Sequence, residues 1–230
     1  MLRKWSDLPD LLQTPEVKPY YDSLKQKQFQ LLLKRVTDFL AALILLILLC
    51  IPMIIIAVLI KIDSKGPVFY LQERMTRYGK IYRIHKFRTM VDRAEKIGTA
   101  VTVGNDSRIT KIGSKLRKVR LDELPQLFDV LSGNMSFVGT RPEVPKYIVQ
   151  YLPEYYATLL LPAGITSEAS IRYKDEDKLL DAADDVDKVY IERVLPEKMK
   201  WNLKSVKEFS WARDIATMFR TLAAVAGKDY

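Results

Sequence analysis

A run of 22 residues, 39–60, contains no charged side chain and consists mostly of leucine, isoleucine, valine and alanine. A helix rises about 1.5 Å per residue, so a straight helix of this length covers the roughly 30 Å hydrocarbon core of a membrane. Helices of soluble proteins are rarely apolar on every face for so long. The sequence therefore predicts a membrane-embedded helix over residues 34–62.

The flanks of this run leave two paths through the membrane open. Lys34 and Arg35 precede it and Lys61 and Lys65 follow it, so the positive-inside rule favours neither orientation. Pro52 lies within the run and removes one backbone donor, which bends a helix. The helix either spans the membrane with a tolerated kink or enters and leaves by the same face. The residues alone favour the spanning path.

Composition limits the partners and the metal chemistry. The 230 residues suffice for one domain with a core plus a membrane element, and the net charge of +9 favours anionic partners. Cys50 and His85 are the only residues of their types, which excludes an intramolecular disulfide and a cysteine- or histidine-rich metal site. A bound metal would need oxygen ligands, as magnesium prefers. The positive charge comes without a nucleic-acid recognition motif, so we expect no nucleic acid partner.

Residues 120–142 give the strongest chemical signal. Asp122 and Glu123 are adjacent and come just before Pro125, which suits the first turn of a helix that ends near Gly133. Ionised carboxylates can bind a divalent cation or attack phosphorus. An ordinary acidic helix cap is the commoner explanation for such a pair.

Both carboxylates are expected to be ionised. The helix macrodipole favours negative charge at this N-terminus, and Arg117 and Arg120 act in the same direction.

A β-hairpin is predicted after the membrane segment. Residues 68–71 and 81–84 have strand character and flank a turn at Gly79. Lys86 and Arg88 follow the second strand. They either form the solvent-facing side of an edge strand or contact phosphate, and the sequence alone favours neither.

The remaining segments give weaker signals. Residues 1–33 form an extension without an assignable function, and residues 92–111 suggest a loop. Apolar and tyrosine residues share a helical face over 147–160, typical of core or of a membrane interface. The amphipathic stripe over 211–225 favours core packing. The acidic run 175–187 is typical of a solvated helix face rather than a metal site.

Several motifs occur together in order along the chain from about Lys34 to about Thr221. They are Lys34-Arg35-x-x-Asp38, Gly66-Pro67-Val68-Phe69, Gln72-Glu73-Arg74, Lys86-Phe87-Arg88-Thr89-Met90, Leu121-Asp122-Glu123-Leu124-Pro125-Gln126-Leu127 and Ser136-Phe137-Val138-Gly139-x-Arg141-Pro142. With these motifs the chain resembles the small monotopic polyprenyl-phosphate phosphoglycosyl transferases, bacterial sugar transferases that begin surface-glycan assembly.

The resemblance implies an architecture. It is an α+β, mostly helical fold with a re-entrant membrane helix broken at Pro52, interfacial amphipathic helices and a small β-hairpin. Residues 63–230 would form a catalytic domain on the cytoplasmic face of the bacterial inner membrane. Family members usually have a small residue before the proline, where this chain has Ile51.

The resemblance also implies a reaction. The family transfers a phosphosugar from a UDP-sugar to polyprenyl (undecaprenyl) phosphate, releases UMP and requires Mg²⁺. Carried over to this chain, Asp122 is the nucleophile that forms a covalent aspartyl phosphosugar intermediate. Glu123 supports the metal or handles the acceptor's proton, and the two carboxylates are the candidate metal ligands.

Four basic residues are candidates for binding substrate phosphates: Arg88, Arg117 and Arg141 match family arginines, and Lys86 lies beside the first. Membrane lipid and a second copy of the chain are further candidate partners. The alternative function is a membrane-anchored scaffold of a glycan-assembly complex without catalysis.

Besides Ile51, the chain departs from the family pattern at several further places. Thr76 stands where the family usually has glycine, Asn134 replaces a common aspartate, and Thr140 replaces a usual proline. Residues 162–166, Pro-Ala-Gly-Ile-Thr, also contain one residue more than the corresponding family segment, Pro-Gly-Ile-Thr. Residues 167–173 then read Ser-Glu-Ala-Ser-Ile-Arg-Tyr where the family frequently has Gly-Trp-Ala-Gln-Val, and we interpret this whole region as a subfamily difference related to the sugar.

Overall fold

The computed structural model describes residues 2–92, 94, 106–173 and 185–225. Helices dominate these residues and two small sheets accompany them, which confirms the predicted α+β, mostly helical class. The elements are α1 (Lys18–Lys25), α2 (Gln28–Asp63), β1 (Phe69–Met75), β2 (Ile81–Phe87), α3 (Lys111–Lys118), α4 (Gln126–Ser132), β3 (Met135–Val138), α5 (Pro145–Ile148), β4 (Ala163–Thr166), α6 (Glu168–Arg172), α7 (Val186–Val189), α8 (Leu195–Lys207) and α9 (Trp211–Val225).

The apolar run lies within α2, which begins before and ends just after the predicted residues 34–62. By length and composition, α2 is the one helix among the described residues that can cross a membrane. Its most apolar window has mean hydropathy 3.5, and 17% of that window is buried. The helix continues through Pro52, so the proline does not interrupt the secondary structure. The re-entrant path stays a prediction.

One face of α2 packs along the rest of the protein. Ala42 joins a buried cluster with Tyr82 of β2 and Leu127 of α4. Further along the helix, Ile60 packs in a cluster with Phe87. The opposite face is exposed along the whole apolar run, at residues that include Leu40, Ile44, Ile47, Ile51, Ile55, Val58 and Ile62.

The N-terminal extension is part of the main core. Leu12 and Leu24 are completely buried and pack in one cluster with Leu160 and with Phe209, which follows α8. Residues before α2 therefore contribute to the folded body, although the structure assigns them no chemical role.

The predicted hairpin is present and longer than expected. Strands β1 and β2 pair antiparallel from Phe69 opposite Phe87 to Met75 opposite Ile81. The turn between them uses left-handed backbone at Tyr78 (φ 61°) and Gly79 (φ 74°), which glycine adopts readily.

A second sheet, formed by β3 and β4, was not predicted. These two strands of four residues pair in parallel, with Met135 opposite Ala163. The chain crosses so closely after β3 that a Cβ on Gly164 would collide with the backbone of Gly139. Glycine at both positions allows this contact, which places the loop after β3.

The two amphipathic stripes behave differently. Tyr147 and Tyr151 are buried in a core cluster, although Pro153 starts a separate 3₁₀ segment instead of continuing one long helix. In α9, Phe219 and Leu222 are each 67% exposed. Core packing is therefore confirmed for the tyrosines and is wrong for these two residues, since α9 covers the body with its other face.

Two predicted segments lie largely outside the described residues. The first is the loop predicted over 92–111, of which residues 93 and 95–105 are not described. The second is the acidic run 175–187, which is described only from residue 185. Asp187, which is described, accepts hydrogen bonds from Lys146 at 2.9 Å and from the Tyr147 hydroxyl at 2.5 Å.

Candidate active site

Asp122 and Glu123 lie in a short 3₁₀ turn, Leu121–Glu123, between α3 and α4. Arg120 enters this turn with φ 57°, a left-handed conformation that is uncommon for a residue with a side chain. The predicted boundaries of the next helix are confirmed, since Pro125 caps α4 and Gly133 ends it with φ 82°. The two carboxylates are therefore held on a turn fixed at both ends.

Glu123 forms the centre of an ion cluster. Its Oε1 atom accepts from Arg141 Nη2 at 2.6 Å and from Lys86 Nζ at 3.3 Å. Burial opposes ionisation of Glu123, but the two cations outweigh burial and hold its pKa below the ordinary value. Two predicted phosphate-binding residues, Lys86 and Arg141, are thus brought to the dyad, where they also neutralise its second member.

Asp122 has a different environment. Its side chain makes no hydrogen bond or ion pair with any other described residue. Burial raises its pKa, and the charge of Glu123 acts in the same direction, while Lys86 and Arg117 oppose them. Nearby arginines favour ionisation of both acids, as predicted, but burial outweighs them at Asp122 and raises its pKa above the ordinary value.

Two arginines next to the dyad have unpaired guanidinium groups. Arg117 and Arg120 make no side-chain hydrogen bond or ion pair among the described residues. Both line the same cavity as Glu123 and Arg141. Unpaired guanidinium groups bind phosphate oxygens well, so Arg117 is where the prediction requires it. Arg120 is an additional candidate that was predicted only as a neighbouring charge.

Arg88 is not placed at the dyad. It is 4% exposed, and its Nη1 and Nη2 atoms donate to the carbonyl oxygens of Lys65 and Ser64, both at 2.7 Å. A Cβ on Gly66 would collide with this guanidinium. The prediction that Arg88 binds phosphate is therefore corrected: its donors are directed to backbone carbonyls just after α2.

The dyad borders a cavity of about 660 Å³. Asp122 itself is not among the lining residues, but Glu123, its chain neighbour, is. Two kinds of side chain line the cavity. The charged ones include Arg74, Arg117, Arg120, Arg141 and Lys198, and the apolar ones include Leu45 and Leu49 of α2 and Met218 and Leu222 of α9. The cavity therefore suits a ligand with an anionic part and a lipid part.

The donor atoms fit a magnesium ion that is shared with a substrate. The described residues contain no group of three or more acidic, histidine or cysteine side chains able to enclose a metal. However, Mg²⁺ usually binds one or two carboxylates and completes its shell with water and phosphate oxygens. Asp122 is unpaired and Glu123 uses only Oε1 for its cations, which leaves oxygens of both residues for such an ion.

These features combine a long apolar helix with a cavity lined by several arginines and by the carboxylate of Glu123. A profile of the bacterial sugar transferase family matches residues 29–228. Most of the chain is covered, including the dyad, α2 and α9. The chain belongs to the bacterial sugar transferase family.

Three relatives illustrate the similarity. A UDP-N-acetylgalactosamine-undecaprenyl-phosphate N-acetylgalactosaminephosphotransferase of Aeromonas hydrophila is 35% identical over 196 residues, which are 84% of this chain and 43% of that protein. The UDP-glucose:undecaprenyl-phosphate glucose-1-phosphate transferase of Escherichia coli (strain K12) is 34% identical over 196 residues, 83% of this chain and 39% of the relative. The exopolysaccharide production protein PSS of Rhizobium leguminosarum bv. phaseoli is 40% identical over 149 residues, 62% of this chain and 74% of the relative. The chain thus spans about two fifths of the first two proteins.

The different positions of Arg88 and Arg117 predict a large effect of mutation on stability at Arg88 and a small one at Arg117. Arg88→Met removes hydrogen bonds from a buried cation and leaves two carbonyls unpaired, so we expect the free energy of unfolding to fall by about 3 kcal/mol. Arg117→Met, at an unpaired side chain, should change it by less than about 0.5 kcal/mol. Denaturant unfolding of detergent-solubilised protein measures both. An Arg88→Met protein of normal stability would contradict the assignment of Arg88 to the backbone.

Proposed function

We propose that this protein transfers a phosphosugar from a UDP-sugar to undecaprenyl phosphate and releases UMP, as an early membrane step in surface-glycan assembly. The main support is a cavity lined by Glu123 of the dyad, by arginines that include Arg117 and Arg141, and by apolar residues of α2. Two relatives are named as undecaprenyl-phosphate transferases and one is named for exopolysaccharide production. A phosphate group on a long-chain lipid matches the two kinds of lining.

The first half of the proposed reaction begins at Asp122. A carboxylate oxygen of Asp122 attacks the β-phosphorus of the UDP-sugar. The bond from that phosphorus to the bridging oxygen breaks, and UMP leaves with the electron pair on its α-phosphate. The product on the protein is an aspartyl phosphosugar. Asp122 is suited to attack because, unlike Glu123, no cation of the described residues is paired with it.

The second half restores the carboxylate. A phosphate oxygen of the lipid attacks the same phosphorus, and the bond to Asp122 breaks to give the lipid diphosphate sugar. Any proton on the attacking phosphate must leave at this step. Glu123 neighbours the nucleophile, but its low pKa makes it a weak base for accepting this proton. We therefore assign Glu123 the role of holding Arg141 and Lys86 in place.

Positive charge makes attack on an anionic diphosphate feasible. Arg117, Arg120 and Arg141 line the cavity, and arginines placed at phosphate oxygens stabilise the charge that moves to the leaving group. Bound Mg²⁺, held by Asp122 and Glu123 together with substrate phosphates, would supply further charge neutralisation.

We also propose that α2 is re-entrant and that the protein lies on the cytoplasmic face of the inner membrane. Both ends of α2 are bound to the same folded body. Near the start, Asp38 accepts from Ser136 Oγ at 2.7 Å, and at the end Asp63 accepts from the Ile112 amide at 2.9 Å. A helix crossing the bilayer would separate these ends by about 30 Å of hydrocarbon, and the body could not reach both from one side.

The re-entrant path predicts that both termini share one side of the membrane. Asp10→Cys and Lys200→Cys, each introduced into a Cys50→Ser background, place thiols at exposed sites before and after α2. In intact cells a membrane-impermeant maleimide should label neither position, and permeabilisation should expose both. Labelling at position 10 alone would instead show that α2 spans the membrane.

The proposed reaction predicts UMP as product and Asp122 as the essential group. Detergent-solubilised protein with Mg²⁺, undecaprenyl phosphate and a panel of UDP-sugars should release UMP with at least one sugar. Asp122→Asn should lower kcat at least about 10³-fold, as expected for loss of a nucleophile. Chelation of Mg²⁺ should stop release.

Several outcomes would overturn this proposal. Full turnover by Asp122→Asn removes the covalent mechanism, and UDP as product indicates direct glycosyl transfer. No release of either nucleotide from any sugar favours the non-catalytic scaffold. Asp10→Asn, at an exposed carboxylate far from the dyad in sequence, is the matched control and should keep full activity.

The raised pKa of Asp122 predicts an acid limb in the rate profile. The attacking form is the carboxylate, so the rate of UMP release should fall as pH drops through the pKa of Asp122. Arg117 lowers this pKa, so Arg117→Gln should move the limb to higher pH. Arg83→Gln, which removes an exposed arginine paired with Glu73, should leave it in place. An unmoved limb in Arg117→Gln would show that another group controls the profile.

A further inference from the structure

Glu143, Tyr190 and Lys198 form a polar cluster that has no part in the proposed transfer. All three line the cavity beside the dyad, yet they are only 7%, 5% and 6% exposed. The Tyr190 hydroxyl donates to Glu143 Oε1 at 2.5 Å, and Lys198 Nζ donates to the same hydroxyl at 3.3 Å. Lys198 Nζ lies 3.9 Å from Glu143 Oε1.

One oxygen of this cluster is left for a ligand. Both contacts of Glu143 involve Oε1, and its Oε2 has no hydrogen bond from any described residue. Oε2 is not one of the unpaired atoms that are fully buried, so it keeps some contact with solvent, and its residue lines the cavity. A nearly buried carboxylate oxygen without a donor is unfavourable, and a ligand hydroxyl would satisfy it.

An unusual backbone conformation positions Tyr190 in this cluster. Tyr190 begins a π-helical turn, Tyr190–Val194, between α7 and α8. Such turns are rare and occur often at functional sites, because the wider turn redirects side chains. Here it brings Tyr190 into the same hydrogen-bonded group as Lys198, which lies on α8.

The cluster lines the same cavity as the candidate phosphate-binding arginines and is close to one of them in the chain. Glu143 follows Arg141 by two positions, and two extended residues span at most roughly 7 Å. Arg141 in turn binds Glu123. Arg74 donates to the carbonyl of Pro142 at 3.0 Å, which fixes the backbone between them. This spacing allows a donor whose phosphates contact Arg141 to place a neighbouring sugar ring at Glu143.

We propose that Glu143, Tyr190 and Lys198 bind a vicinal diol of the nucleotide-sugar donor. This proposal rests on the proposed function and names a subsite of the same cavity. Glu143 Oε2 accepts from the diol hydroxyls, while the Tyr190 hydroxyl donates its proton to Oε1 and Lys198 donates to that hydroxyl, so both residues hold the carboxylate in place. The diol belongs either to the transferred hexose or to the ribose of the uridine, and the experiment separates these sources.

The test combines affinity with kinetics on the full-length protein. Glu143→Gln and Tyr190→Phe keep side-chain shape and remove one charge or one donor. We expect each to raise KM for the best UDP-sugar about tenfold, the effect of one charge-assisted hydrogen bond, with kcat within about threefold of wild type. Calorimetry of UDP-sugar binding should show the same loss of affinity.

A second tyrosine–glutamate hydrogen bond, outside the cavity, serves as the control. Tyr20 donates to Glu154 at 2.5 Å, and neither residue lines the cavity. Glu154→Gln and Tyr20→Phe should lower the melting temperature as much as the cluster variants do, without changing KM. A purely structural role for Glu143 would give this same result in the cluster variants, and that result would overturn the proposal.

Inhibition by UMP identifies the diol. If only KM for the UDP-sugar rises, the diol is that of the hexose; if the inhibition constant of UMP rises equally, it is that of the ribose. Unchanged values for both overturn the subsite. Wild-type protein that binds a UDP-sugar without releasing UMP overturns the proposed function alone, and the binding comparison still decides the subsite. Wild-type protein that binds no UDP-sugar overturns the subsite as well.

Discussion

The bond between Glu123 and Arg141 is the interaction on which the site depends. It joins the turn after α3 to the loop after β3, and Lys86 adds β2 to the same carboxylate. Burial lowers the pKa of Lys86 and the charge of Glu123 opposes this, so each ion stabilises the charged state of the other. Loss of Glu123 would leave two cations close together in a poorly hydrated place, which is costly. This arrangement also explains why Asp122 is left unpaired: its neighbour already holds the nearest cations.

The position of this ion cluster depends in turn on α2. Arg35 donates to the carbonyls of Val130 and Leu131 at 2.6 and 2.8 Å, so the start of α2 holds the end of α4. Asp38 binds β3 through Ser136, and Arg88 binds the chain just after α2. α2 is therefore a wall of the site as well as the candidate membrane segment. Under the proposed function, the depth of α2 in the lipid would set the depth of the dyad relative to the phosphate of a lipid substrate.

Sequence reasoning succeeded where the cause is local. An uncharged run, a proline before α4 and a glycine after it act within a few residues, and these elements are confirmed. It failed where the cause is the packing of distant segments. Arg88 matches a phosphate-binding motif, but its partners Ser64 and Lys65 lie more than 20 residues earlier and are reached only when the hairpin packs beside α2. Burial of Asp122 is likewise a tertiary property. Glu143 and Lys198 are 55 positions apart, so no spacing in the sequence could indicate their contact.

Three of the residues that differ from the family pattern, Thr76, Asn134 and Thr140, are linked by hydrogen bonds that also involve the segment 162–166. Thr76 Oγ1 donates to the Asn134 carbonyl at 2.6 Å and accepts from the Ala163 amide at 3.0 Å. The Thr140 carbonyl accepts from the Gly164 amide at 2.9 Å. A glycine at position 76 could make neither side-chain bond, so the threonine supplies contacts to the segment that contains the extra residue. Each such bond contributes about 1 kcal/mol. Only the side chain of Thr76 is specific to this chain in these bonds, since Asn134 and Thr140 contribute backbone carbonyls; Thr76 thereby ties the residue before β3 to the start of β4.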